Sequence, residues 1–564
     1  MTASTTRWLR IGALAAGMAL PTQLSAQTWQ WAAAHAAGST GSSVIYAAAV
    51  DAAGNTVVAG LFSGTTTLGA TTLTSAGGTD VFVGRLNAAG AWTQAVRAGG
   101  PGDDVALALA VDGAGNAVAA GSFKGATAAF GGTTLTNADN TGNTTDGFVA
   151  RLSSAGTWSQ AVRMGGTDND GATGLALEAG GAAVVSGNFS SNTAAFGSTT
   201  LTNGNTDRSN DVFVARLSGT GDWSQAVRGG GAGDDFVQAL ALDAGGNAVV
   251  AGHFARATVT FGSTVLNNAN PGQYSSDVYV ARLSSAGTWT QALQAGGPGN
   301  DYARGVGLDA SGNAYVAGNF ASPAVSFGAT SLANADNSGN TSDIFVARLS
   351  SANAWTMAAR AGGASNDYAN ALAVDGNGSA SVGGLFQGAT STFGTIALPN
   401  ADPTGATFDI LVGRLSSAGV WNLALRAGGV GDDYTNALTL DGSGNAVVGG
   451  NLNSSPATFG SLSLNSAGSA FIAKLMGLTT ATTSKRTAAS LALLPNPARH
   501  HVSLTWVEAQ PQAQPLVVLD GLGRVVRRQL LPARATQATV NLSGLVAGVY
   551  IIRVGETAQR LVVE

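Results

Sequence analysis

One period governs this chain. Trp92, Trp158, Trp223, Trp289, Trp355 and Trp421 recur at spacings of 65 or 66 residues. Arg85, Arg151, Arg216, Arg282, Arg348 and Arg414 keep the same step, with Lys474 next in their column. A period of this length marks a supersecondary unit that buries its apolar face only by stacking on copies of itself. The chain of 564 residues is therefore an array, and its length gives no domain count.

Within one unit, residues 105–112 are small and apolar, Asp112-Gly-Ala-Gly-Asn116 turns the chain, and residues 117–123 run back. This pattern predicts a β-hairpin. The turn returns at Asp51, Glu178, Asp243, Asp309, Asp375 and Asp441. Gly and Asn supply positive φ there, and the acid accepts from the turn amides, so these acids read as turn residues rather than calcium ligands. After an excursion through Phe130-Gly131, residues 146–152 predict a third strand and residues 157–163 a fourth. The Trp column reads as core between neighbouring units. A charge between packed sheets needs a partner, so the Arg column is expected to pair with the Gly-Asp-Asp acids: Asp103, Asp104, Asp234, Asp235, Asp432 and Asp433.

The turn motif and the third-strand motif each occur seven times. The array stops at Leu475 without a following Trp strand, while Thr28-Trp-Gln-Trp-Ala-Ala-Ala offers one ahead of the first hairpin. The two ends complete one another and remove the exposed edges of an open array. The expected fold is all-β: a seven-bladed β-propeller over residues 27–475, its last blade taking a fourth strand from the amino-terminal side.

Composition narrows the function. Net charge is −5 and lysine occurs only at Lys124, Lys474 and Lys485, which leaves no basic stripe for nucleic acid. Cysteine is absent, which removes disulfides, thiolate metal sites and cysteine nucleophiles. Arg7 and Arg10, an apolar run over residues 11–20 and the small-residue stretch Leu24-Ser25-Ala26 predict a signal peptide over residues 1–26. No later segment reaches the length of a transmembrane helix.

The ordered motifs Gly-Asp-Asp-Tyr, Asp-x-x-Gly-Asn-x-x-Val-x-Gly, Phe-Gly, Asp-x-Phe-Val-Ala-Arg-Leu and Trp-x-x-Ala-x-x-x-Gly-Gly resemble the SBBP-type β-propeller repeats of secreted bacterial proteins. That resemblance implies the propeller fold and no fixed activity.

The loop between the Phe-Gly segment and the third strand is short in the first and last repeats and longer in the five between. The longer loops are expected to crowd one region of the ring and to carry any ligand site. Three of them place Asn137 and Asp139, Asn334 and Asp336, and Asn400 and Asp402 at the first and third positions, with Gly at the sixth, as in the start of an EF-hand loop. The bidentate Glu of that loop is missing, so calcium competes here with an Asx-turn reading. Catalysis needs a constellation that breaks the repeat. The best such outlier, His253 near Arg256, reads as a solvated residue at a hairpin end, and no catalytic residue is assigned.

From residue 476 to 490 Thr, Ala and Ser take over, which predicts a linker. Residues 491–564 then show short strands around turns at Asp520 and Gly544, a small Ig-like β-sandwich. Leu494-Pro495-Asn496-Pro497, the Asp520-Gly-Leu-Gly523-Arg524 turn, Leu542-Ser-Gly-Leu545, Gly548-Val-Tyr550 and Arg560-Leu-Val-Val563 resemble the type A sorting domain of the Bacteroidota type IX secretion system. That family often ends in Lys, whereas this chain ends in Glu564. The resemblance implies export through the periplasm to the outer-membrane surface or the medium, with the type IX machinery as partner. The expected function is a non-enzymatic binding or adhesion scaffold for an extracellular glycan or protein, with no cofactor apart from the calcium considered above. The competing readings are a polysaccharide-active enzyme on a propeller scaffold and a structural surface component.

Overall fold

The computed structural model describes residues 27–34, 36–37, 41–205, 207–272, 275–336, 338–477, 492–505, 513–520, 524–554 and 557–564. The predicted signal peptide, residues 478–490 of the predicted linker and Gly523 lie outside the described residues. Two compact units divide between Leu478 and Thr479. The described residues contain strands and no helix.

In the second repeat the strands are Asp104–Val111, Ala117–Lys124, Thr145–Leu152 and Trp158–Met164, within a residue or so of the boundaries expected from the alternation. They pair in that order as an antiparallel meander. Among the described residues the array forms seven such four-stranded meanders. Six are continuous in sequence. The seventh consists of Asp433–Leu440, Ala446–Leu452 and Ser469–Met476, and Thr28–Ala34 pairs antiparallel with Ser469–Met476 as its outer strand. The first strands of successive sheets pack side by side around a central axis. Asn436 Nδ2 of the seventh sheet donates to the Ile45 carbonyl of the first at 3.3 Å, so the array closes on itself.

The Phe-Gly excursion, left unassigned in the sequence, is a second hairpin. Thr127–Phe130 pairs with Thr133–Thr136, and backbone bonds between Gly99 and Ala129 tie it to the preceding sheet. Phe130 lies against Phe148 of its own repeat and meets Trp158 edge to face with ring centroids 5.4 Å apart. The Trp158 indole N–H donates to the Arg97 carbonyl of the previous repeat at 3.1 Å. Trp289 and Trp421 repeat this bond on Arg228 and Arg360. The Trp column thus packs at the seam between sheets; the neighbour satisfies the one polar atom of Trp158, Trp289 and Trp421, whereas the indole nitrogens of Trp92, Trp223 and Trp355 are buried without a partner.

The carboxyl-terminal unit has two sheets. One joins Ala492–Leu494, His501–Thr505 and Gln537–Asn541, and the other joins Val525–Leu531, Gln514–Leu519, Gly548–Val554 and Thr557–Val563. Val502, Leu504, Leu516, Val518, Val540, Ile552 and Leu561 form their shared core.

Candidate functional site

Six of the seven third strands carry an aspartate ahead of the segment that ends in Arg-Leu, so their two charges serve opposite ends of the sheet; the seventh, Ser469–Met476, has the Lys-Leu pair and no aspartate. At the beginning, Asp146 accepts from the Ala138 amide at 2.7 Å and from Arg163 at 2.7 Å. It therefore holds down the long loop of its own repeat. Asp343 does the same with Ala335 and Arg360, and Asp409 with Ala401 and Arg426. The first acid or amide of the Gly-Asp-Asp segment grips the same place from the next repeat. Asn169 accepts from the Thr145 amide at 3.1 Å, Asp234 from Asn210 at 2.9 Å, Asn300 from Ser276 at 3.1 Å and Asp432 from Phe408 at 2.9 Å.

The second acid of that segment is buried. Asp104 accepts from the Gly100 amide at 2.6 Å and from the Lys124 amide at 3.1 Å. It shares its pocket with Asp80: a Cβ placed on Gly99 would meet Asp104 Oδ2 at 2.5 Å and Asp80 Oδ1 at 2.6 Å. Only glycine fits that gap, where φ is +139°. Burial, with the like charge of Asp80, pushes the Asp104 carboxyl up to about 7. Burial likewise lifts Asp301 to about 7 and Asp235 and Asp367 to about 8.

The expected pairing of the Arg column with these acids is corrected. Arg414 pairs with Asp375 at 2.7 Å, Lys474 with Asp441 at 2.8 Å, and Arg216 with Glu178, all of them hairpin-turn acids. Gly-Asp-Asp stands at the opposite end of the sheet, out of reach. Other members bond to carbonyls in the next repeats, as Arg151 does to Gly181 at 2.9 Å.

The six calcium candidates come together only two at a time, one Asn and one Asp per loop. Asn137 Oδ1 accepts from the Asp139 amide at 2.9 Å, and Asn137 Nδ2 donates to the Thr144 carbonyl at 2.9 Å. Asp139 accepts from the amide and hydroxyl of Thr141, which holds its carboxyl below the usual range. Asn334 and Asp336, and Asn400 and Asp402, repeat the arrangement. These are Asx turns closed on their own loops.

His253 is corrected as well. It lies within the second strand of its sheet, only 7% exposed, with its ring 4.6 Å from that of Tyr302 and 5.1 Å from that of Phe236. Burial and nearby Arg304 lower its pKa to about 3, so the ring is neutral. Arg256 lies 3.6 Å from Asp207.

A feature invisible to motif reading is a central channel of about 200 Å³ lined by the seven first strands. Every one of those strands has a β-bulge at the same point, on Tyr46, Leu107, Thr173, Gln238, Arg304, Asn370 and Asn436. A bulge re-aims a side chain. Thr173 and Asn370 use theirs to bond the next strand's carbonyl, at 2.7 and 3.0 Å. The available signal was a column whose residue type changes from repeat to repeat.

In the carboxyl-terminal unit the predicted motif residues are structural ties. Asn496, between Pro495 and Pro497, donates to the Arg560 carbonyl at 2.7 Å and accepts from the Val562 amide at 2.8 Å. Asp520 accepts from Arg524 at 2.8 Å, and the Tyr550 hydroxyl donates to the Val546 carbonyl at 2.8 Å in the turn before Gly548.

Comparison with known families agrees with both parts of the chain. Residues 492–564 match the secretion system C-terminal sorting domain, and residues 292–319 match the beta-propeller repeat SBBP. No curated protein sequence matches the chain. Among solved structures, the Pan2 WD40 domain of Neurospora crassa aligns at 8% identity over 76% of this chain and 88% of that one, with a TM-score of 0.35. PorZ, a surface component of the type IX secretion system of Porphyromonas gingivalis, aligns at 13% identity over 92% and 81%, with a TM-score of 0.23. Sqt1 from Chaetomium thermophilum aligns at 10% identity over 62% and 79%, with a TM-score of 0.29. No described helix is long and apolar enough to cross a membrane. The chain therefore carries β-propeller repeats and a type IX secretion sorting domain that directs it to the cell surface or the medium beyond.

Proposed function

We propose that this protein is a non-enzymatic binding or adhesion scaffold: a seven-bladed β-propeller that holds an extracellular glycan or protein on its loop-bearing face, followed by an Ig-like β-sandwich that serves as its secretion address. The observation that carries this reading is the double anchoring of the loops. Each is tied by the aspartate of its own third strand and by the first acid or amide of the next repeat's Gly-Asp-Asp segment. Loops fixed at both ends present a preorganised surface at little entropic cost. The repeated acids support a non-enzymatic reading, because they perform the same structural task in successive copies, whereas catalysis concentrates its groups in one place.

Glycan and protein arrays probed with the exported full chain test this reading. The comparison is a variant whose loops at 137–144, 334–341 and 400–407 are cut to the short connection of the first repeat. Binding lost in the variant with melting retained supports the reading. Binding indifferent to the loops, or turnover of a polysaccharide, overturns it.

A further inference from the structure

The channel carries a charge that its architecture does not use. Among the described residues that line it, Arg304 is the one charged side chain. It occupies the bulge position at which Asn370, Asn436 and Thr173 bond across to the next strand. Arg304 makes no hydrogen bond or ion pair with any described residue, and its Nε is buried without a partner. Its guanidinium lies over the Tyr302 ring, 5.4 Å from the centroid. The groups that act on it are the phenols of Tyr302 and Tyr368, and His253, whose ring also meets that of Tyr302, is neutral.

A cation half-withdrawn from water without a counter-charge is destabilising, by more than a neutral amide at the same place. Ring closure does not require it, since two neighbouring repeats close with asparagine. A cation–π contact orients the guanidinium, but it does not satisfy its N–H donors. Those donors form a planar fork whose natural complement is a carboxylate. Around it the channel offers only neutral groups: the Gln238 amide, the Tyr46 ring, and small residues such as Ala239 and Gly305. Such a lining admits an occupant that is narrow and carries a single negative group.

We infer that the central channel is a binding site for a small carboxylate, anchored by the Arg304 guanidinium on its Tyr302 platform. This goes beyond the loop-bearing face: a protein whose loops bind nothing can still hold a carboxylate here. The group can belong to a free small acid or to an acidic sugar.

Calorimetric titration of the full chain with sodium acetate, sodium glucuronate, glucose and inorganic phosphate tests the site, with Arg304→Asn as the comparison. Acetate binding identifies a free acid as sufficient, and binding of glucuronate alone identifies the acidic sugar. Either one, with glucose silent and affinity falling roughly tenfold or more in the variant, supports the inference. Arg304→Asn should melt at or above the wild-type temperature, because the variant copies Asn370 and Asn436. A variant that melts several degrees lower shows that the arginine is a structural element and overturns the inference. So do carboxylate affinity unchanged by the substitution, no saturable carboxylate binding, and phosphate bound more tightly than either carboxylate.

Discussion

Trp29 meets Phe459 edge to face, with ring centroids 5.2 Å apart. Phe130 and Trp158 make the same contact within one repeat. The amino-terminal strand thus fills the seventh sheet's seam with the residue the period requires there. Trp29 is 9% exposed, so Trp29→Ala should destabilise the array by about 3–5 kcal/mol. Deleting residues 27–37 should lower the melting temperature further and promote association through the bared edge of Ser469–Met476. Calorimetry and light scattering check both outcomes.

The buried aspartates give stability a falling dependence on pH. Asp235 and Asp367 have pKa values near 8 in the folded protein, against about 3.9 for an unfolded aspartate. The folded state therefore holds more protons between those values. Their contribution is complete below about pH 4 and is lost as pH rises through 8. Asp235→Asn and Asp367→Asn imitate the protonated form and should each raise stability at pH 9 by on the order of 1–2 kcal/mol. Urea titrations at pH 5 and pH 9 measure the change, and variants weaker than wild type at pH 9 would contradict it.

His253 works in the opposite sense. Its pKa is depressed to about 3, so its contribution is present above the unfolded value near 6.5 and is lost as pH falls toward 3. Leu385 occupies the corresponding place two repeats on, so His253→Leu is expected to fold. The stability difference between variant and wild type should shift in the variant's favour on acidification from pH 7 to pH 4. The histidine ring signals should show His253 still neutral at pH 5.

In the Asx-turn loops, the Asn137 and Asp139 oxygens already accept from loop amides and hydroxyls. Calcium at these loops would have to displace those bonds. Melting curves recorded with a chelator and with millimolar calcium should coincide, whereas a rise in melting temperature with calcium would show a bound ion.

A chain stopped after Gly477 retains every strand of the array. It should fold and accumulate in the periplasm, while the full chain reaches the surface or medium. Fractionation followed by immunoblotting separates the two, and equal export of both would remove the sorting role from residues 492–564.

The sequence made the period, the four-stranded unit and the closing strand legible, because large residues at a fixed step leave few packings that bury them all. Trp29 with Trp92 through Trp421 sufficed for that. Which charge pairs with which was hidden. Arg414 and Asp409 lie on one strand, yet their partners, Asp375 and Arg426, stand at opposite ends of the sheets. Only the strand direction decides between them. The channel was hidden because Arg304 and Asn370 share no residue type. What unites them is a one-residue bulge in the register, which composition does not record.

The clasp between Thr28–Ala34 and Ser469–Met476 also sets a clock on folding. The strand that leaves the ribosome early must wait for its partner until all the intervening repeats have been made, so the ring's longest-range contact forms late. Contacts across such separations are slow and leave pairing edges uncovered meanwhile. The residues of the sorting domain follow that partner strand in the chain. By the time the export address has been synthesised, every piece the ring needs to shut already exists.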